Sequence, residues 1–252
     1  MRVLEGGVVR RSDVGTPQGG VISPMLANIY LHEVLDKWWV GEVLPRMRGE
    51  AFLIRFADDF VICFEHKDDA RRVQVALAQR FARYGLTLHP GKTRLLPFRR
   101  SRDGGVEERS PGTTRSFDFL GFTHDWGKSR SAGMVVKRAT MRSRFTRTVR
   151  AIAERLRQHM RETLTHHAKS IGAKLKGFDS YYGITGNGSA LKRLRYVIER
   201  VWWKILCRRS QKGYVLWEGF YGGILKRFPM PPPRVVHSVY TQRTSGKKSR
   251  MR

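Results

Sequence analysis

The sequence predicts an α+β protein: short antiparallel strands backed by helices over residues 1–139, an α-helical unit over 140–228, and a proline-rich then basic tail over 229–252. Three observations carry that expectation. Val, Ile and Phe crowd both sides of Ala57-Asp58-Asp59, the pattern of a β-hairpin with an acidic turn. Val73, Leu77, Phe81 and Tyr84 recur at helical spacing before Gly85. From about Thr140 the apolar residues settle into helical stripes, Phe145-Val149-Ile152-Leu156-Met160 and Leu191-Leu194-Ile198-Val201-Ile205, on segments otherwise thick with Arg and Lys.

In chain order, Arg2 to Val9 reads as short strands around Gly6-Gly7. Gly15-Thr16-Pro17-Gln18-Gly19-Gly20-Val21-Ile22-Ser23-Pro24 is a loop whose glycines let backbone approach a ligand and whose Gln18 both donates and accepts hydrogen bonds. Ser23 as cap and Pro24 at the first helical position open a helix bearing Ala27, Leu31, Val34, Leu35 and Trp38. Asp68-Asp69 reads as the dipole-assisted cap of the helix over about 68–84. Gly85 to Leu96 reads as strand, turn, strand, with a structural His89 and an exposed Lys92 at the turn. Arg99 to Arg115 is a surface loop, and Phe117 to Phe122 is a strand partnered by Met134-Val135-Val136, with close backbone approach at Gly121. In the helical part, Lys192, Arg193, Arg195, Arg200, Lys204, Arg208 and Arg209 lie opposite the apolar stripe, a basic face suited to phosphate contacts. Pro229 to Pro233 ends regular structure, and the tail from Thr241 is expected to be disordered.

Charge narrows the partner. The 252 residues hold 49 Lys+Arg against 21 Asp+Glu, a net charge of +28, which implies a polyanion. No apolar run approaches the roughly 20 residues of a membrane span and no signal-peptide pattern opens the chain, so nucleic acid is favoured over membrane. Cys63 and Cys207 offer neither a disulfide framework nor zinc-ligand spacing, which fits a reducing compartment such as the cytoplasm. Two adjacent carboxylates at a hairpin tip repel each other, and the usual relief is a divalent cation with oxygen ligands. Asp58 and Asp59 are therefore the candidate Mg²⁺ site.

In this order the motifs resemble those of group II intron-encoded reverse transcriptases, also called maturases. Gly15 to Pro24 resembles the family's palm loop and helix, Phe56-Ala57-Asp58-Asp59 its Tyr-Ala-Asp-Asp box, Gly85-Leu86-Thr87-Leu88 through Lys92-Thr93 the next palm motif, Phe119-Leu120-Gly121-Phe122 the primer grip, and Gly177-Phe178-Asp179-Ser180-Tyr181-Tyr182 the maturase thumb, or X domain. Ser23-Pro24 and the thumb motif set the chain apart from diversity-generating and retron enzymes, whereas the CRISPR-associated relatives stay open. No Cys/His cluster follows the thumb, so the zinc-containing endonuclease domain of some members is not expected.

The resemblance implies an incomplete palm followed by an α-helical thumb, and an RNA-directed DNA polymerase in which Asp58 and Asp59 hold Mg²⁺ for phosphoryl transfer. By the family's roles Gln18 and Gly19 touch the template or incoming base pair, Phe56 packs near the primer end, Lys92 meets a phosphate and Leu120-Gly121 the primer. The thumb then grips intron RNA and the template-primer duplex, with DNA as a further partner. The family's first catalytic Asp lies on a palm strand well upstream of the loop, alongside the fingers, and Asp13 sits too close to Gly15 to replace it. Losing one well-placed group commonly costs about 10² in rate. The chain alone is therefore expected to polymerise poorly unless an upstream fragment joins it. The alternatives are a non-catalytic RNA-binding splicing cofactor and a truncated, non-functional reading frame. An exposed apolar face on the palm sheet is a further expectation.

Overall fold

The computed structural model describes residues 2–5, 8–11, 22–98, 116–129, 133–209 and 213–238. Gln18, Gly19, the loop Arg99–Arg115 and the tail from Thr241 lie outside these residues. The chain divides into two compact units, one ending at Phe98 and one beginning at Arg99.

In the first unit β1 (Arg2–Glu5) pairs antiparallel with β2 (Val8–Arg11). Helix α1 (Ser23–Leu31) starts one residue earlier than its cap signal suggests: Ile22 precedes it, Ser23 is already helical, and Pro24 sits in the first turn, where no N–H is required. The helix runs on through two widened turns, His32–Asp36 and Trp39–Val43. Such turns insert extra residues and re-aim the apolar stripe. Val34, Leu35, Trp38, Trp39 and Val43 are buried. Strands β3 (Ala51–Phe56) and β4 (Asp59–Phe64) form a hairpin in the register Ala51 to Phe64 and Phe56 to Asp59. Because strand side chains alternate, Leu53, Phe60, Ile62 and Phe64 pack against Val34, Leu35 and Trp39 and against Val73, Leu77 and Phe81 of helix α2 (Lys67–Arg83).

The other face of that hairpin is apolar and open, with Phe52, Ile54 and Phe56 at 58, 52 and 64% exposure. Concentration-dependent association in sedimentation velocity is the expected result, weakened by Ile54→Thr. A monomer unaffected by that change would contradict it.

Two expectations need correction here. Asp69 does not cap its own helix: it is buried, accepting from Arg48 N–H at 2.9 Å and pairing with Arg72 at 2.6 Å. Burial opposes its charge, and the Arg48 N–H and the Arg72 guanidinium outweigh that, holding its carboxyl below the ordinary value. The stretch after Gly85 is not strand, turn, strand. Leu86 N–H bonds back to Phe81, and the His89 carbonyl accepts from both Lys92 and Thr93, so turns take the backbone groups that a ladder would use.

The second unit opens with a three-stranded antiparallel sheet, β5 (Phe117–Phe119), β6 (Phe122–Lys128) and β7 (Met134–Thr140). Three helices follow: α3 (Arg142–Gln158), α4 (Leu164–Tyr182) and α5 (Gly188–Cys207). Their apolar stripes meet in one core of Ile152, Leu156, Ile171, Leu175, Leu194 and Trp202. The sheet is tied to these helices, so the compact units do not divide at residues 139/140, where the helical texture begins. Buried Asn187 accepts from Thr140 N–H at 3.0 Å and donates to Thr140 Oγ1 and the Tyr182 carbonyl, each at 2.8 Å. Thr163 caps α4 by accepting from His166 N–H.

His167 is fully buried in this core. Trp202 Nε1–H donates to its Nδ1 at 3.1 Å, which leaves Nε2 as donor to the His159 carbonyl at 2.8 Å, a neutral ring. Burial lowers its pKa, and Arg209 acts in the same direction against the His159 bond. A histidine pushed down in the folded state contributes stability above the unfolded value of 6.5 that is lost as pH falls toward the folded value. The expected result is a Tm that drops between about pH 7 and pH 5.5 and drops less in His167→Gln. Equal slopes in the two proteins would refute it.

Candidate functional site

The acidic hairpin tip is built by a two-residue turn, Ala57 and Asp58, closed by the Phe56 to Asp59 pair. Such turns match the strand twist when their central residues take positive φ, a position that favours glycine. Ala57 holds φ at +53° without being glycine, a conformation that costs roughly 1 kcal/mol. Arg55 offsets it. Its Nη1 donates to the Ala57 carbonyl at 2.9 Å and to Asn28 Oδ1 at 2.9 Å, while Nε and Nη2 form a two-pronged pair with Asp36 at 2.9 and 2.6 Å. Those hydrogen bonds hold the Asp36 carboxyl below its ordinary range, with burial opposing and His32 assisting. The turn is thus anchored to α1 and to the widened turn that follows it.

Asp58 and Asp59 project from this anchored tip and are exposed. Among the described residues neither carboxylate has a hydrogen-bond or ion-pair partner, and no group of three or more His, Cys, Asp or Glu is assembled. Two free, hard oxygen donors suit Mg²⁺, which commonly takes one or two carboxylates and completes its shell with waters and substrate phosphates. Phe56, also exposed, stands opposite Asp59 across the hairpin. Lys92 is exposed on the turn around Pro90-Gly91 that His89 Nδ1 closes by accepting from Gly91 N–H at 3.1 Å.

In the second unit Leu120 and Gly121 are not in mid-strand: they form the tight turn between β5 and β6, with φ of +49° and +77°. Phe119 faces Phe122 across the turn, and Met141 N–H donates to the Gly121 carbonyl. Tyr181 OH donates to the Leu120 carbonyl at 2.9 Å, and Phe122 stacks on Tyr181 with 5.9 Å between centroids. A Cβ at Gly121 would lie 2.9 Å from the Tyr182 hydroxyl oxygen. Gly121→Ala is expected to destabilise the chain by about 1 kcal/mol from its backbone conformation, measured as a lowered urea midpoint. Because the tyrosine can give way and the backbone cannot, Tyr182→Phe should not restore it.

The basic face of α5 keeps Lys192, Arg193, Arg200, Lys204 and Arg208 exposed. Arg195 does not belong to it: the residue is buried and paired with Asp179. Arg209 is partly engaged, donating to the Glu162 carbonyl at 2.5 Å and lying 3.3 Å from His167 Nε2. Sequence reasoning passed over Arg55, and it named Tyr181 and Tyr182 only within the thumb motif, without their contacts to the Leu120-Gly121 turn. A usable signal existed for the first: Arg55 alternates in phase with Ala51 and Leu53, so a charge on the core-facing side required an acid. Asp36, its partner, is visible only once α1 and β3 are packed together.

Residues 4–124 match the family described as reverse transcriptase (RNA-dependent DNA polymerase). Protein YkfC of Escherichia coli (strain K12) is 34% identical over 23% of this chain and 22% of its own length. The group II intron-encoded protein LtrA of Lactococcus lactis subsp. cremoris is 60% identical over 14% of this chain and 6% of its own length. The chain thus matches less than a quarter of the length of either relative. Among the described residues no helix is long and apolar enough to cross a membrane.

Proposed function

We infer that this chain, a member of the group II intron reverse transcriptase/maturase family, contributes the Asp58-Asp59 part of an RNA-directed DNA polymerase site and a thumb that binds RNA. The observation that carries this reading is the pair of unpartnered carboxylates on a turn that Arg55 holds in a strained conformation. Strained backbone that surrounding contacts maintain is concentrated at working sites.

Asp58 and Asp59 are the residues that would hold Mg²⁺. When bound, the ion supplies neutralisation of the charge that builds on nucleotide phosphates. Phe56 packs beside the primer end, Lys92 meets a phosphate, Leu120 and Gly121 shape the primer contact, and Gln18 and Gly19 meet the template or the incoming base pair. On the thumb, which this reading places at residues 140–228, Lys192, Arg193, Arg200, Lys204 and Arg208 contact phosphates of intron RNA and of the template-primer duplex. Arg195 is removed from that set by its burial, and Arg209 contributes what its contact with Glu162 leaves free.

The test is extension of a DNA primer on an RNA template with Mg²⁺, run with the chain alone and with a polypeptide that supplies a further palm carboxylate. Product is expected chiefly in the second arm. No product in either arm, or product that persists after chelation, overturns the polymerase reading. Salt-sensitive binding of structured RNA without extension would leave the splicing-cofactor reading in its place.

A further inference from the structure

Beside Arg200 and Lys204 of the basic face, the second unit carries a group of aromatic rings that none of these roles uses. Tyr196 on α5 and Tyr214, Trp217 and Tyr221 in the segment after it are 53, 64, 36 and 38% exposed. They are assembled rather than scattered. The Arg200 guanidinium lies 5.5 Å from the Tyr196 ring and 5.7 Å from the Trp217 ring, and its Nη1 donates to Tyr196 OH at 3.0 Å. Trp217 meets Tyr221 at 4.7 Å and Trp203 at 5.0 Å, and Trp203 in turn meets Tyr214 at 6.2 Å. Trp203 Nε1–H donates to the Val215 carbonyl at 2.8 Å, which pins the segment to α5. Tyr221 OH donates to Glu199 at 3.0 Å, which fixes that ring against α5.

We propose that this cluster is a stacking platform for unpaired bases of single-stranded RNA, with Arg200 set among the rings and exposed Lys204 one turn further along α5 to meet the phosphates between them. The proposal rests on the nucleic-acid reading above. Exposed rings held rigid lose little conformational entropy when a planar base covers them, and every base offers a π face whatever its sequence. A cation held between two rings suits a polyanion whose charge and flat surfaces alternate. An aliphatic protein partner would leave that charge covered and unpaired. The net charge of +28 points the same way.

The full chain is titrated by anisotropy with a labelled, unstructured oligouridine of about 12 nucleotides and with an abasic backbone of equal length. The RNA is expected to bind the tighter and to quench tryptophan fluorescence. Tyr196→Ala and Tyr214→Ala should each weaken RNA binding by roughly 5-fold or more, Tyr196→Phe should restore it, and the salt slope should not change because no phosphate contact is lost. Unchanged affinity in the double alanine variant, with folding verified by melting, overturns the platform. So does abasic backbone binding as tightly as RNA, or no oligouridine binding by the wild-type chain. None of these outcomes touches the polymerase reading, which stands or falls on primer extension.

Discussion

Asp179→Ala is expected to destabilise the helical unit by about 3–5 kcal/mol, the range found when one partner of a buried ion pair is removed. Both groups are buried, and Arg195 binds the carboxylate through Nη1 at 3.2 Å and Nη2 at 2.5 Å. The same guanidinium donates to the carbonyls of Leu191, Pro231 and Pro232, and Asp179 also accepts from Arg234 N–H. Truncating the acid therefore leaves a desolvated cation and an orphaned N–H together. Urea unfolding followed by circular dichroism measures the effect. A loss below about 1 kcal/mol would show that water reaches Arg195 readily. Replacing both partners, as Asp179→Leu with Arg195→Met, should cost less than the single change, because no buried charge then remains.

The second large effect concerns the acidic turn. Arg55→Ala is expected to lower divalent-cation affinity by about 10- to 100-fold, the cost usual for removing a group that orients a ligand. Asp58→Asn and Asp59→Asn should lower it at least as far by deleting donors. Arg55 does its work at a distance from any ion: it fixes the Ala57 carbonyl and ties the turn to Asp36 and Asn28. Mn²⁺ binding followed by electron paramagnetic resonance reads this directly. Asp36→Asn supplies the internal control, since it keeps the shape and removes the charge that orients the guanidinium. Wild-type affinity in Arg55→Ala would mean that the turn holds its conformation unaided.

The legible parts of the sequence were those governed by local chemistry. The period-two runs around Ala57 to Asp59, the helical stripe ending at Gly85 and the stripes of α3 and α5 all appear where they were expected. What failed to show depends on non-local partners. Leu86 and Leu88 have strand-like composition, yet Pro90 and a tight turn leave them packing on the first core without a ladder. Phe117 to Phe122 reads as one apolar run, but it is two strands and a turn, held by Met141 N–H on the Gly121 carbonyl and by Tyr181, 61 residues later, on the Leu120 carbonyl. Arg195 looks like its neighbours Lys192 and Arg193, and only Asp179 and the proline carbonyls reveal that it points inward. For the site, the Asp58-Asp59 pair could be read from sequence, whereas the clamp that gives the pair its shape needs Asp36, a partner of Arg55 that only the packing reveals.

The segment from Pro231 to His237 lies across the α4–α5 corner, where Gly183 accepts from Val236 and His237 N–H and has no room for a side chain beside the carbonyls of Asp179 and Arg234. This has a consequence for the order in which the chain is made. Until Pro231 and Pro232 have left the ribosome, the helices already synthesised carry a guanidinium that has Asp179 and the Leu191 carbonyl but still lacks two of its carbonyl acceptors. The helical unit can collapse before that moment, but it becomes fully stable only when Pro231 to His237 have arrived. A chain truncated short of Pro231 would remain a chaperone substrate, whereas a released chain that extends beyond His237 would be protected from proteolysis.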